Sequence, residues 1–392
     1  MKRAGAQFTR PIVLNSARLA TACALLWGTT AAVAQVTGQP STVKAISAID
    51  RRLDTAASKS SRAPQSMMLA VATAGERLVA VGERGMVVYS DNCGAQWKQA
   101  EVPVSVTLTA LQFVDAKLGW AVGHGGVVLV TRDAGATWKK QLDGLEIAQL
   151  AVAAANDGSG GAEAQRQLRN AERMVSDGPD KPLFALHFWS PQRGIVIGSY
   201  GIALLTEDGG NRWQWIADRI PNPKDLHLYG LWVHGDRMVL AGEQGFIARS
   251  ADAAHSFEPV TGSYTGSYFG VVAANQPGTE LLLYGLRGNA YRMSPDGRPE
   301  QVRNLSVKSS LLSALALNDG STWLFDADGL AHHLGGPASA SKPSGDAVAS
   351  PVGQVLGVTH ACGDKLALAG PRGVAIVNAA TLVAPTGTGA VR

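Results

Sequence analysis

Thr131-Arg132-Asp133-Ala134-Gly135-Ala136-Thr137-Trp138 begins five residues after the four-residue turn Gly123-His124-Gly125-Gly126 ends. Between them lies a short apolar run, residues 127–130, and the turn follows another, residues 119–122. Two β-like runs around a glycine turn read as a hairpin, with glycine supplying the positive φ that a side chain would resist. The same turn recurs as Gly82-Glu83-Arg84-Gly85, Gly198-Ser199-Tyr200-Gly201, Gly242-Glu243-Gln244-Gly245 and Gly285-Leu286-Arg287-Gly288. Two further copies are the degenerate Asp326-Ala327-Asp328-Gly329 and Gly370-Pro371-Arg372-Gly373. Successive starts are 41, 75, 44, 43, 41 and 44 residues apart, the 75 being one period plus an insertion. Seven copies at this period supply one four-stranded sheet each and predict an all-β fold, a seven-bladed β-propeller over residues 66–385.

The octapeptide recurs as well. Thr206-Glu207-Asp208-Gly209-Gly210-Asn211-Arg212-Trp213 is a close copy, residues 90–97 carry Asn92 in the Asp position, and residues 250–257 carry Ala254 in place of glycine. A tight turn between the outer two strands leaves backbone N–H groups unpaired, and a short carboxylate caps them. Asn92, Asp133, Asp208 and Asp252 are therefore read as structural rather than catalytic. The closing aromatics Trp97, Trp138, Trp213 and Phe257 are expected to pack beside a neighbouring sheet.

These residues carry a resemblance. The glycine turns, the Asp-box octapeptides and the run Trp213-Gln214-Trp215-Ile216 with Arg219-Ile220-Pro221 resemble the photosystem II assembly/stability factor family, in its non-photosynthetic bacterial branch. That family is part of the wider Asp-box (BNR-type) propellers. The resemblance implies a seven-bladed propeller acting without catalysis or cofactor as a scaffold or assembly factor for an envelope membrane-protein complex. Relatives beside efflux-type transporters make an envelope transporter one implied client. The helical insertion and the degenerate fifth and sixth repeats depart from the photosynthetic pattern. Sialidases share the Asp-box propeller and supply the alternative, a carbohydrate-active or carbohydrate-binding protein. Their Arg-Ile-Pro motif precedes the first Asp-box, whereas Arg219-Ile220-Pro221 follows the third, and no Tyr/Glu pair follows it.

Hydrophobic residues make up 46% of the 392 and charged residues 17%, enough for a sizeable core. The formal charge of +4 comes from the first 34 residues, which hold four of the 35 Lys and Arg and no Asp or Glu. The rest balances 31 basic against 31 acidic residues, which argues against a nucleic-acid partner. Lys2, Arg3 and Arg10 precede the apolar stretch of residues 12–34, and Ala32-Val33-Ala34 fits a small-x-small cleavage site. Residues 1–34 read as a signal peptide. The mature chain is expected to be exported, periplasmic or secreted, without stable membrane insertion.

Residues 35–65 read as a linker or loose lead-in able to supply one closing strand. Residues 143–181 read as two short helices joined by Gly158-Ser159-Gly160-Gly161, either a solvated decoration or a docking element. The third residue of each recurrent turn is displayed on one rim. Arg84, Arg287 and Arg372, with His124 beside them, form a candidate partner-binding cluster suited to carboxylates. Alternatively, Glu83 and Asp328 pair with those arginines in a solvated ring. His332-His333 and the scattered histidines have no metal-ligand spacing. Cys93 lies in the Asp-box turn of repeat one, and Cys362 in the turn between the first two strands of repeat seven. Those turns share a face and the end blades meet on closure, so a Cys93–Cys362 disulfide is one expectation and two free thiols the other.

Overall fold

Each repeat folds as an antiparallel sheet whose strands lie side by side in chain order, the simplest solution for consecutive hairpins. The computed structural model describes residues 48–157, 161–274, 280–302, 305–317, 319–335 and 347–382. The signal peptide expected at residues 1–34 and the last residues of the chain lie outside this set. Six sheets have four strands and the seventh has three. The inner strands are Met68–Ala74, Leu108–Phe113, Leu183–Phe188, Leu228–His234, Tyr268–Ala273, Leu311–Ala316 and Gly357–His360. Each contacts the next, and the first contacts the last, so the seven blades close a ring around a central tunnel.

The second strand of every blade is packed on both faces, and its sequence reads as a continuous apolar run rather than an alternation. Val79-Ala80-Val81, Ile195-Val196-Ile197 and Leu281-Leu282-Leu283 are all fully buried. The apolar clusters span neighbouring blades. Trp120 of blade two lies flat on Phe188 of blade three, with ring centroids 3.6 Å apart, and Trp213 meets Phe188 edge-on at 6.2 Å. Such pairs add roughly 1 kcal/mol beyond the area they bury.

The lead-in differs from the linker expected of it. Its described part forms the short helix α1 (Ala48–Leu53) and a 3-10 turn at Ala63–Gln65, with no strand. Leu53 is 2% exposed and sits where a side chain on Gly125 would collide with it. Backbone bonds from Ser105 N–H to the Arg52 carbonyl and from Ala57 N–H to the Val102 carbonyl hold the segment along blade one. It is part of the domain.

The insertion forms α2 (Gly144–Asp157) and α3 (Ala162–Ser176). Asp143 begins α2 with a reciprocal cap: its Oδ1 accepts from the Leu145 N–H at 3.0 Å, and Glu146 accepts from the Asp143 N–H at 3.0 Å. The Lys140 ammonium joins Asp143 at 3.0 Å and Asp54 at 2.8 Å, tying insertion, blade two and lead-in together. Burial opposes that charge, but the two carboxylates outweigh it and hold the lysine pKa above its ordinary value. Among the described residues no helix is long and apolar enough to cross a membrane.

Candidate partner-binding face

The recurrent turns, α1 and the insertion share one face. Gly126 in the blade-two turn lies against Gly144 at the start of α2, and Tyr200 in the blade-three turn lines a cleft with α3. In blades one to five the turn is a single 3-10 turn whose third residue takes a positive φ: Arg84 at 53°, Gly125 at 68°, Tyr200 at 54°, Gln244 at 53° and Arg287 at 57°. Gly125 shows that glycine suffices there, so four blades carry a side chain against a backbone preference worth about 1–2 kcal/mol per residue. Arg84 and Arg287 are exposed. Neither guanidinium makes an ion pair or hydrogen bond among the described residues, and Glu83 instead accepts from the Met67 N–H at 3.4 Å.

The last two turns are built differently from the expected common position. In blade seven Gly370 pairs with Gly373, leaving Arg372 exposed on a two-residue turn. In blade six the buried Asp326 carboxylate accepts from the Asp328 and Leu330 N–H groups, both at 2.9 Å, and faces His332 Nε2 at 2.7 Å. His124 is half-buried in the blade-two turn, beside which α1 packs. The arginines thus share a face but not one backbone geometry.

Inside this rim is a feature the sequence reading missed. In each of the first six blades the pairing of inner and second strands skips one residue: Leu69, Thr109, Phe184, Tyr229, Phe269 or Leu312. A bulge re-aims its side chain, and all six are half-buried at the tunnel mouth. Phe184 meets Tyr229 at 5.2 Å, Tyr229 meets Phe269 at 5.9 Å, and Tyr200 meets His227 edge-on at 5.0 Å. Burial and the nearby Glu243 carboxylate push the Tyr229 phenol up, keeping it neutral. A bulge inside an apolar strand leaves no pattern in one repeat. The usable signal was an aromatic second residue in three consecutive inner strands.

The four octapeptide turns lie at the other ends of the third strands, away from the rim. Asp133 accepts from the Thr137 N–H at 2.9 Å and hydroxyl at 2.7 Å, and Asp208 from the Arg212 N–H at 2.8 Å. Asp252 accepts from the Ser256 hydroxyl at 2.6 Å and N–H at 2.9 Å, and Asn92 from the Gln96 N–H at 2.8 Å. The Ser256 bonds hold Asp252 down to about 2, and the Arg212 N–H lowers Asp208. A carboxylate stabilised as an anion by its own turn is a poor proton donor. Trp138, Trp213 and Phe257 are buried, while Trp97 is half-exposed at the border with blade seven. Cys93 and Cys362 form a disulfide. Arg219 donates to the Ala254 carbonyl at 3.2 Å, a bridge between blades three and four. His333 meets the Ser321 hydroxyl at 2.9 Å.

Residues 89–155 match a family model described as the photosynthesis system II assembly factor YCF48. Among solved structures, "YCF48 bound to D1 peptide" is similar at 14% identity and a TM-score of 0.57, covering 80% of this chain and 93% of that one. YCF48 from Cyanidioschyzon merolae gives 13% identity, a TM-score of 0.56, and 80% and 95% coverage. The WD40 β-propeller domain of Doa1 gives 10%, 0.58, and 85% and 99%. No curated protein sequence matches the chain. At these identities the structural likeness is one of fold.

Proposed function

We propose that this photosystem II assembly factor-like seven-bladed propeller is a non-catalytic, exported scaffold or assembly factor. It acts on an envelope membrane-protein complex and holds its client on the rim face. The observation that carries the reading is the pair Arg84 and Arg287: exposed, unpaired by any carboxylate among the described residues, and kept at a backbone position that favours glycine. Guanidinium groups around an aromatic tunnel mouth suit a client segment with carboxylates flanking an apolar side chain. One solved structure of similar fold, "YCF48 bound to D1 peptide", supports a peptide as the kind of ligand.

The test is affinity co-purification from detergent-solubilised envelope with wild type and an Arg84→Gly/Arg287→Gly/Arg372→Gln variant. A membrane protein recovered with wild type and lost with the folded variant supports the scaffold and its face. Equal recovery with both moves the site off the arginines. No membrane protein with either overturns the reading.

A further inference from the structure

Between the α2–α3 hairpin and the outer edge of blade three lies a cleft of about 550 Å³, within the range of roughly 300–1,000 Å³ usual for ligand sites. Its walls include Ala151, Ala155 and Met174 from the helices and Trp215 and Ile220 from blade three. Arg173, Asp177 and Asp218 also line it, and several of its other polar groups are held by neighbours. Arg166 Nη1 reaches the Pro223 carbonyl at 3.2 Å and Asp225 at 3.3 Å, and Asn170 Nδ2 reaches Asp225 at 2.8 Å. Asn222 bonds both the carbonyl and the N–H of Leu226.

Lys181 differs from all of these in its burial. It lines the cleft, yet is 2% exposed, and among the described residues it is the only lysine or arginine buried so deeply. Its ammonium donates to the Gly178 carbonyl at 2.7 Å, and no carboxylate among the described residues lies within ion-pair distance. Asp177 and Asp180 act on it only from farther away, and burial pushes its pKa below the ordinary lysine value. An ammonium has three donors, and among the described residues only one is engaged, an arrangement that is costly on a buried charge unless an oxygen ligand completes it.

We propose that this cleft binds an apolar monocarboxylate, its carboxylate on Lys181 Nζ and its hydrocarbon body against Met174, Trp215 and Ile220. Such a group is carried by a free fatty or aryl acid and by the C-terminus of a chain ending in apolar residues. The site uses none of the rim arginines and stands whether or not the rim binds a client.

The test is isothermal titration of the full-length chain, with indole fluorescence as a second readout. The probes are decanoate against decanol, and a capped apolar tetrapeptide with a free carboxylate against its amide. At least one carboxylate is expected to bind, with its neutral counterpart at least about tenfold weaker. Lys181→Met is expected to weaken binding by about tenfold or more while its Tm holds or rises, because a buried charge is removed. Met174→Trp narrows the cleft, keeps the ammonium and is expected to weaken binding, a second check should Lys181→Met misfold. Decanoate alone binding identifies a free acid, the peptide alone a chain terminus, and both the shared chemistry. Equal affinity for neutral analogues, unchanged binding by folded Lys181→Met, or no binding by any probe overturns the proposal.

Discussion

Cys93 and Cys362, 269 residues apart in sequence, lie with Cα atoms 5.8 Å apart in a disulfide that joins the first blade to the seventh. Their neighbours already touch: a side chain on Gly94 would collide with Ile376 of the last strand. Among the described residues blade seven has three strands and no strand is shared with blade one, so the bond secures a junction that no shared strand closes. Cross-linking so long a loop restricts the unfolded chain and contributes roughly 2–5 kcal/mol. Cys362→Ser is expected to lower the urea midpoint by that amount of stability. Dithiothreitol should destabilise wild type equally and leave the variant unchanged. Equal midpoints for oxidised wild type and variant would show that inter-blade packing closes the ring unaided.

Removing the rim arginines should not harm the fold. At Arg84 and Arg287 the left-handed backbone opposes a side chain, whereas glycine adds entropy to the unfolded chain. The two effects nearly cancel. Arg84→Gly and Arg287→Gly are each expected to change stability by less than about 1 kcal/mol, on the stabilising side. Arg84→Val, which cannot adopt that backbone easily, is expected to destabilise by more. A denaturation series over the three variants reads this, and a large loss in the glycine variants would assign the arginines to folding.

The octapeptide turn of blade four, residues 250–257, supplies a matched pair of opposite sign. Asp252 receives three bonds inside its own turn, so Asp252→Ala is expected to cost about 1–2 kcal/mol. Ala254 sits at φ 69°, where the other octapeptide turns have Gly94, Gly135 and Gly210. Ala254→Gly is expected to gain up to about 1 kcal/mol. Differential scanning calorimetry of both variants checks the signs, and a destabilised Ala254→Gly would show that methyl packing outweighs the turn.

Local chemistry made the propeller readable, because each glycine turn and each capped aspartate is specified within eight residues. What stayed hidden depends on distant segments or on backbone irregularity. The six residues of α1 are held by Leu53 and bonds to blades one and two, which periodicity cannot report. The aromatic mouth depends on bulges at Phe184, Tyr229 and Phe269, whose side chains look like ordinary strand residues in sequence. The Lys181 cleft combines an insertion and a blade edge more than thirty residues apart. Asp326 read as a degenerate turn because its role passes through a side chain that replaces the 3-10 geometry.

His187 supplies a pH dependence of definite sign. It lies in the inner strand of blade three, edge-on to Trp189 at 5.4 Å, and burial pushes its pKa from 6.5 down to about 4. A base with a lower pKa when folded takes up protons more readily when unfolded, so acid favours unfolding. The penalty is absent above pH 7, grows as pH falls through 6.5, and levels off below about 4. Between pH 7 and 4.5 it amounts to about 2 kcal/mol. His187→Gln is expected to flatten most of that slope in urea titrations at stepped pH. His333, which burial also lowers against the pull of Asp319, adds to the slope with the same sign. The depressed Asp252 acts in a separate window, with stability lost only as pH falls from 3.8 toward 2. An unchanged slope between pH 7 and 4.5 in His187→Gln would place the acid sensitivity elsewhere.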